Sequence, residues 1–149
     1  MVLFSILFSC NALKNHDEKF DFTVPDNFSN WVFVEYEVKN APPLKKVDGR
    51  DQLTIPADGY LQIPDLFQSS RLVHRYTTVS GKEIPQIDLE RPELSYDQAM
   101  KVTEEKPFVC CRTTLIRTNE EGLQRKYQRF YIGLGPAGTP PEPVTTQKP

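Results

Sequence analysis

The residues that could support chemistry in this chain are few and widely separated. It has two histidines, His16 and His74, and two of its three cysteines, Cys110 and Cys111, are adjacent. Zinc sites use spaced thiols or imidazoles, and nucleophilic catalysis needs a base beside the serine or cysteine; neither pattern occurs. We therefore predict no metal site, no cofactor and no catalytic residue, and we expect a protein that is not an enzyme.

The adjacent pair Cys110 and Cys111 leaves two interpretations open. Successive side chains of a regular strand point to opposite faces, which disfavours a bond between neighbours. We predict separate buried thiols that act as small apolar side chains, with Cys110 facing as Phe108 does and Cys111 facing as Val109 and Leu115 do. The alternative is a redox or metal-sensing pair, which would make the protein a thiol-dependent redox or enzymatic factor.

The third cysteine, Cys10, follows an uncharged and mostly apolar run of nine residues. A membrane-spanning helix needs roughly 20 apolar residues, whereas a shorter run followed by a small residue is typical of a signal peptide. Leu7-Phe8-Ser9-Cys10 resembles the lipobox of bacterial lipoproteins, which implies acylation of Cys10 and removal of residues 1–9. We therefore expect a lipoprotein anchored to the membrane on the extracytoplasmic face of the cell envelope. The alternative is a buried N-terminal strand with a core cysteine.

Charge and proline content define the segments around the folded region. A signal peptide begins with positive charge, which residues 1–9 lack, so we interpret them as truncated and expect the natural start to lie upstream. Residues 10–19 are polar and aperiodic, as in a tether. Residues 134–149 are rich in proline and poor in apolar residues, which predicts a disordered tail. The net charge is −2 with acids and bases interspersed, so we expect no nucleic-acid partner.

Residues 20–133 show the period-2 alternation of strands, and their many prolines exclude a long helix. The clearest strands are 20–24, 31–38, 71–78, 108–118 and 124–133, the last two joined by a loop at 119–122. Turn chemistry predicts a tight turn at 48–50 and a hairpin around 56–59. One short helix is predicted from Ser95, which has capping-box spacing to Gln98, to before Glu104. We predict a mostly β domain, an antiparallel β-sandwich of about seven strands with one short helix.

Aromatic residues on two strands form the candidate binding surface. Trp31 and Phe33 share a strand face with two glutamates, which predicts that this face is exposed to solvent. Tyr127 and Tyr131, together with Arg129, form a second aromatic row on the last strand. Exposed aromatics are common in sugar and protein contacts, so we predict a protein or glycan partner here. The alternative is that these rings pack under loops or against the other sheet.

Several short motifs, taken in order, resemble a family of uncharacterised small exported bacterial proteins, known as a domain of unknown function. The resemblance covers residues 20–133 and implies export and a β-rich fold; it supplies no catalytic residue. The motifs are Phe22-Thr-Val-Pro25, Trp31-Val-Phe-Val-Glu-Tyr36, Ala41-Pro-Pro43, Asp48-Gly49-Arg50, Ile55-Pro-Ala-Asp-Gly59 and Phe130-Tyr-Ile-Gly133.

Overall fold

The computed structural model describes residues 17–67, 71–87 and 105–143, and within them the chain is mostly β-strand, as predicted. Cys10, the region 1–16 and the helix predicted at 95–104 lie outside the described residues. The strands are β1 (Asp17–Glu18), β2 (Phe20–Val24), β3 (Asn30–Tyr36), β4 (Lys45–Val47), β5 (Arg50–Thr54), β6 (Tyr60–Gln62), β7 (Arg71–Leu72), β8 (Arg75–Thr78), β9 (Phe108–Thr118) and β10 (Gln124–Gly133).

Two four-stranded sheets pack face to face. The β3 sheet has the order β6-β3-β10-β9, and the β2 sheet has the order β4-β5-β2-β8. β1 and β7 form a separate two-stranded pair. The alternation of apolar residues in β2 directs Phe20, Phe22 and Val24 into the space between the sheets.

Aromatic rings from both sheets meet in the centre of this sandwich. The ring of Phe130, on the β3 sheet, lies 5.3 Å from that of Phe22 and 5.4 Å from that of Tyr76, both in edge-on contact. Tyr76 and Phe22, neighbours on the β2 sheet, stack at 5.0 Å. Such contacts stabilise a core beyond the burial of area alone. The core also contains Val32, Val34, Tyr36, Leu53, Ile55, Ile63, Ile84, Val109 and Ile132.

The sheets are mixed rather than purely antiparallel, which corrects the prediction. β2 runs parallel to β5 and to β8, and β3 runs parallel to β6. The cause is that the chain repeatedly crosses from one sheet to the other, after β2 and again after β5. Strands that follow equivalent crossings enter each sheet in the same direction.

The hairpin predicted around 56–59 is wrong for the same reason. Ile55 and Ile63 are both buried in the core, on either side of a segment that connects the two sheets. Gly59 does adopt the expected positive φ, 76°. A side chain there would also collide with the backbone carbonyl of Trp31. The turn chemistry was therefore interpreted correctly, but the pairing of its flanking strands was not.

The other two predicted turns are confirmed. β9 and β10 have the predicted bounds and are joined through 119–122, where the Asn119 amide donates to the Leu123 carbonyl at 3.0 Å. Asp48 and Gly49 both have positive φ, and Val47 pairs with Arg50 across them. This is the two-residue connection whose twist suits an antiparallel pair.

The folded region begins before residue 20, where the prediction had a tether through residue 19. The carboxylate of Glu18, in β1, accepts hydrogen bonds from Tyr36 Oη at 2.9 Å and contacts His74 Nε2 at 3.1 Å. The strand predicted at 71–78 is correspondingly divided into β7 and β8. Between them Val73 and His74 leave the ladder, and the His74 side chain is buried against Phe20.

Candidate ligand groove beside a vicinal disulfide

A β-bulge in β9 brings the side chains of the adjacent residues Cys110 and Cys111 together. Cys110 lies opposite Tyr131 and Thr113 lies opposite Arg129, so two residues, Cys111 and Arg112, face the single residue between them on β10. Cys111 has a φ of 61°, a left-handed conformation that is rare for a residue with a side chain. The bulge breaks the alternation of faces along the strand.

Within this bulge, Cys110 and Cys111 form a disulfide. The prediction of two separate thiols on opposite faces is therefore wrong. It assumed a regular strand, whereas the left-handed residue directs the second sulfur toward the first. Cys110 is buried and Cys111 is half-buried, so the bond lies at the boundary between the core and the surface.

The disulfide lines an open groove of about 590 Å³, which we call the disulfide groove. Among the described residues that line it, the ionisable side chains apart from the bonded cysteines are two arginines, and none is a carboxylate. The chain as a whole has a net charge of −2, so this local excess of positive charge is opposite to the overall balance. The lining residues are Trp31, Gln86, Ile87, Val109, Cys110, Cys111, Arg112, Thr113, Arg129 and Pro140.

Arg112 is held by neutral partners. Its Nη2 donates to Tyr76 Oη at 2.8 Å and to Gln86 Oε1 at 2.7 Å. Gln86 is fixed in turn, since its Nε2 donates to the His74 carbonyl at 2.9 Å. Burial raises the pKa of Tyr76 to about 12 although Arg112 opposes this shift, so the phenol stays protonated. The Arg112 guanidinium has no carboxylate partner among the described residues.

Arg129 projects from β10 onto the same groove. Its guanidinium carbon lies 5.4 Å from the centre of the Trp31 ring, a cation–π contact. The Nε atoms of Arg112 and Arg129 are both buried and have no hydrogen-bond partner in the described part of the chain. Each is an N–H donor for which a buried position without a partner is unfavourable.

The predicted aromatic surface differs in the structure, because all four rings are buried. Trp31 and Tyr131 are each 8% exposed, Phe33 is 6% exposed and Tyr127 has no exposed surface. Both faces of β3 are covered: one faces the core, and the other packs with Phe108 and Cys110 into a second apolar cluster. Of the four, Trp31 alone reaches the disulfide groove.

Part of the predicted disordered tail helps to cover that second cluster. Ala137 packs against it, and Pro140 lines the disulfide groove. Further along, Glu142 Oε2 lies 2.7 Å from Nη2 of Arg117 on β9. Residues 137–142, which lie within the predicted tail, therefore contact the second apolar cluster, the groove and β9. Residues 144–149 lie outside the described part.

Glu35, also predicted on the solvent side, is buried in a polar network. Its carboxylate accepts from the Tyr60 hydroxyl and from Gln62 Nε2 at 3.0 Å, and it lies 3.4 Å from Arg125 Nη1. Burial, and secondly the hydrogen bond to Glu35, raise the pKa of Tyr60 far above its usual range, so this phenol remains a donor. The network satisfies a buried carboxylate and serves the packing of the β3 sheet.

His74, the histidine of the domain, does not lie in the groove. Its side chain has no exposed surface and stacks on Phe20 with ring centres 5.0 Å apart. Desolvation lowers the pKa of His74, and the hydrogen bond to Glu18 opposes this effect. The imidazole is therefore neutral at pH 7. His74 supports the groove through its backbone carbonyl, which accepts a hydrogen bond from Gln86.

A second groove, of about 480 Å³, lies at the end of the β9–β10 hairpin. Its two arginines have carboxylate partners: Arg117 pairs with Glu142, and Arg125 pairs with Glu35. Glu120 and Glu121 also line it. The disulfide groove is the better candidate site, because its cations are not neutralised by acids of the described residues.

Arg112 was not predicted as a site residue, although it directly follows the cysteine pair. Arg129 was recognised as a member of the aromatic row but was not predicted to be a contact residue. Within residues 17–67, 71–87 and 105–143, no group of three potential metal ligands is present. No helix in these ranges is both long and apolar enough to cross a membrane.

The fold has a counterpart among solved structures. A crystal structure described as a "Putative Lipoprotein from Bacillus anthracis" superimposes with a TM-score of 0.51 over 89% of this chain and 85% of that one. The two sequences are 13% identical, so the likeness shows a shared fold. No family model matches the chain, and no curated protein matches it. The resemblance to the uncharacterised exported family therefore stays a prediction.

Proposed function

We propose that this chain is a bacterial cell-envelope lipoprotein whose β domain is a non-catalytic binding module. Cys10 carries the lipid in this proposal, residues 1–9 are removed, and the domain stands on the extracytoplasmic side of the membrane. The carrying observation is the lipobox-like Leu7-Phe8-Ser9-Cys10, a short distance before the first strand at Asp17. The shared fold with a protein described as a putative lipoprotein supports it.

Binding rather than catalysis is supported by the chemistry of the disulfide groove. A pocket of about 590 Å³ falls in the range of about 300–1,000 Å³ that small-molecule sites occupy. Its polar groups are permanently charged arginines, an amide and a hydroxyl. These groups hold a ligand by hydrogen bonds, and none of them is a base of suitable pKa for proton transfer near pH 7.

Labelling with radioactive palmitate tests the anchoring. The wild type and the Cys10→Ala variant are expressed in a bacterium that processes lipoproteins. We expect label in the wild type, none in Cys10→Ala, and unchanged label when Cys110 and Cys111 are both replaced by alanine. Unlabelled wild type, or label that persists in Cys10→Ala, would refute the lipoprotein proposal.

A thiol-dependent redox role is the second candidate function, and the disulfide at the edge of a groove favours it. Reduction would add two electrons and two protons and give two thiols, with an external dithiol as the reductant. The test is a thiol titration of the native protein after equilibration in graded mixtures of reduced and oxidised dithiothreitol. A bond that stays intact in a large excess of the reduced form would eliminate this role.

A further inference from the structure

We propose that the disulfide groove binds the carboxylate group of a small organic ligand between Arg112 and Arg129. This inference rests on the proposed binding function and specifies its chemistry. It goes beyond anchoring, because it concerns the groove residues alone and holds or fails independently of Cys10.

The groove carries positive charge. Of its lining residues that the structure describes, the two with ionisable side chains outside the disulfide are arginines, on a chain whose net charge is −2. Arg50, Arg117 and Arg125 each pair with a carboxylate of the chain, whereas Arg112 and Arg129 have no carboxylate partner among the described residues. Arg112 and Arg129 therefore present positive charge that an anionic ligand can neutralise.

Arg112 and Arg129 also supply the hydrogen-bond donors. Nη2 of Arg112 is fixed by Tyr76 and Gln86, and the Nε atoms of both arginines are buried, so the donors that remain for a ligand are the other Nη groups. A guanidinium anchored in this way is preorganised, so less side-chain entropy is lost when it binds a planar anion. A carboxylate suits these donors, since its two oxygens accept hydrogen bonds from guanidinium groups.

The walls of the groove limit the body of the ligand. One side is apolar and consists of Trp31, Ile87, Val109 and the disulfide, and neutral polar groups are added by Thr113 and Gln86. A ligand that fits has one carboxylate and a small body with both apolar and hydroxyl or amide character. An acidic sugar and a short peptide with a free C-terminus share this chemistry, and the experiment separates them.

Trp31 provides the readout, because it is the single tryptophan of the chain and lines the groove. The purified full chain is titrated with glucuronate and, separately, with N-acetyl-diglycine, while tryptophan fluorescence is followed. The matched neutral probes are glucose and N-acetyl-diglycine amide. We expect a saturable change with one of the two carboxylates, weakening as salt is raised, and a much smaller response to its neutral counterpart.

Four substitutions locate the binding. Arg129→Gln and Arg112→Gln should each weaken binding by about tenfold or more, the usual consequence of losing a hydrogen bond to a charged group. Arg117→Gln changes the same charge on β9 outside the groove and should bind as the wild type does. Thermal melts identify any variant that has lost its fold; Arg129→Lys, which keeps the charge and breaks no bond to Tyr76, should retain part of the affinity.

The outcomes are separable from those of the anchoring test. Binding by one carboxylate that depends on both arginines supports the proposal and identifies the ligand as a sugar acid or a peptide terminus. The proposal is overturned if neither carboxylate binds, if the neutral probes bind equally well, or if folded Arg129→Gln and Arg129→Lys both bind as Arg117→Gln does. A lipidated protein that shows any of these results would still be an envelope lipoprotein, with a different use for the groove.

Discussion

The left-handed backbone at Cys111 predicts that glycine at this position gives a more stable protein than alanine does. In a Cys110→Ala background, we compare Cys111→Gly with Cys111→Ala, both of which remove the disulfide. A φ of 61° costs a residue with a side chain about 1–2 kcal/mol, whereas glycine adopts it freely. Glycine also loses more entropy on folding, so the net advantage expected for the Cys111→Gly variant is about 1 kcal/mol.

The same reasoning limits how much the disulfide itself stabilises the fold. The bonded residues are adjacent, so the bond closes almost no chain, and the loop-entropy contribution is about 1 kcal/mol. We expect wild type reduced with dithiothreitol to lose no more than about 4 °C in melting temperature. Reduction of the wild type measures the effect of the bond alone, because the side-chain volumes stay the same. The alanine variants change those volumes as well.

Urea unfolding followed by far-ultraviolet circular dichroism and by Trp31 fluorescence measures both effects at pH 7. Equal slopes against urea are required, so that midpoints report stability rather than a change in the unfolded state. The reasoning is refuted if Cys111→Ala is as stable as Cys111→Gly, because the strand would then have returned to a regular register. It is also refuted if reduction lowers the stability by several kcal/mol.

Three further predictions concern the scaffold. Burial holds the pKa of His74 below the 6.5 of the unfolded chain, so the unfolded state binds more protons. The free energy of unfolding should therefore fall as the pH decreases below about 6.5. This pH dependence should be weaker in folded His74→Leu, and an unchanged dependence would contradict the lowered pKa. Gly59→Ala should lower the free energy of unfolding by more than the about 1–2 kcal/mol of a positive φ, because the added Cβ would collide with the Trp31 carbonyl. Gly49→Ala places its Cβ in open space and should cost no more than that amount. Equal losses of stability in urea unfolding would contradict the close approach at Gly59. Arg50→Met should lower the free energy of unfolding by about 3 kcal/mol or more, because buried Arg50 donates to Asp21 and to the carbonyls of Phe20 and Val73. Lys46→Met removes an exposed ion pair with Asp51 and should cost under about 1 kcal/mol. Comparable urea midpoints for the two variants would refute this difference.

Local pattern was sufficient for the parts of the fold that local interactions determine. The bounds of β2, β9 and β10 follow from alternation, and the loop at 119–122 follows from its turn residues. Proline, aspartate and glycine at 56–59 predicted a turn correctly. The same residues suit a hairpin and a crossing between sheets, and only the burial of Ile55 and Ile63 in a shared core distinguishes the two.

The candidate site was less accessible to sequence reasoning, because it depends on one added residue in a strand. Regular alternation places Cys110 and Cys111 on opposite faces, and the bulge that reverses this is visible only in the pairing of β9 with β10. The exposure of Trp31 was misjudged for a related reason. Its face is covered by Ala137 and other residues distant in sequence, so neither alternation nor neighbouring glutamates could indicate its burial.

The bulge also determines how this molecule meets its own copies. β9 is an edge strand of eleven residues, long enough to recruit a strand from another molecule. Its first part is already occupied, since Val109 exchanges backbone hydrogen bonds with Pro85 and Ile87. The bulge at Cys111 then interrupts the edge, which leaves only 113–118, with Arg117 among its exposed residues. A short and charged edge of this kind protects against sheet-to-sheet polymerisation. The proposed lipid anchor would make this protection more important, because it would concentrate the domain on a membrane surface.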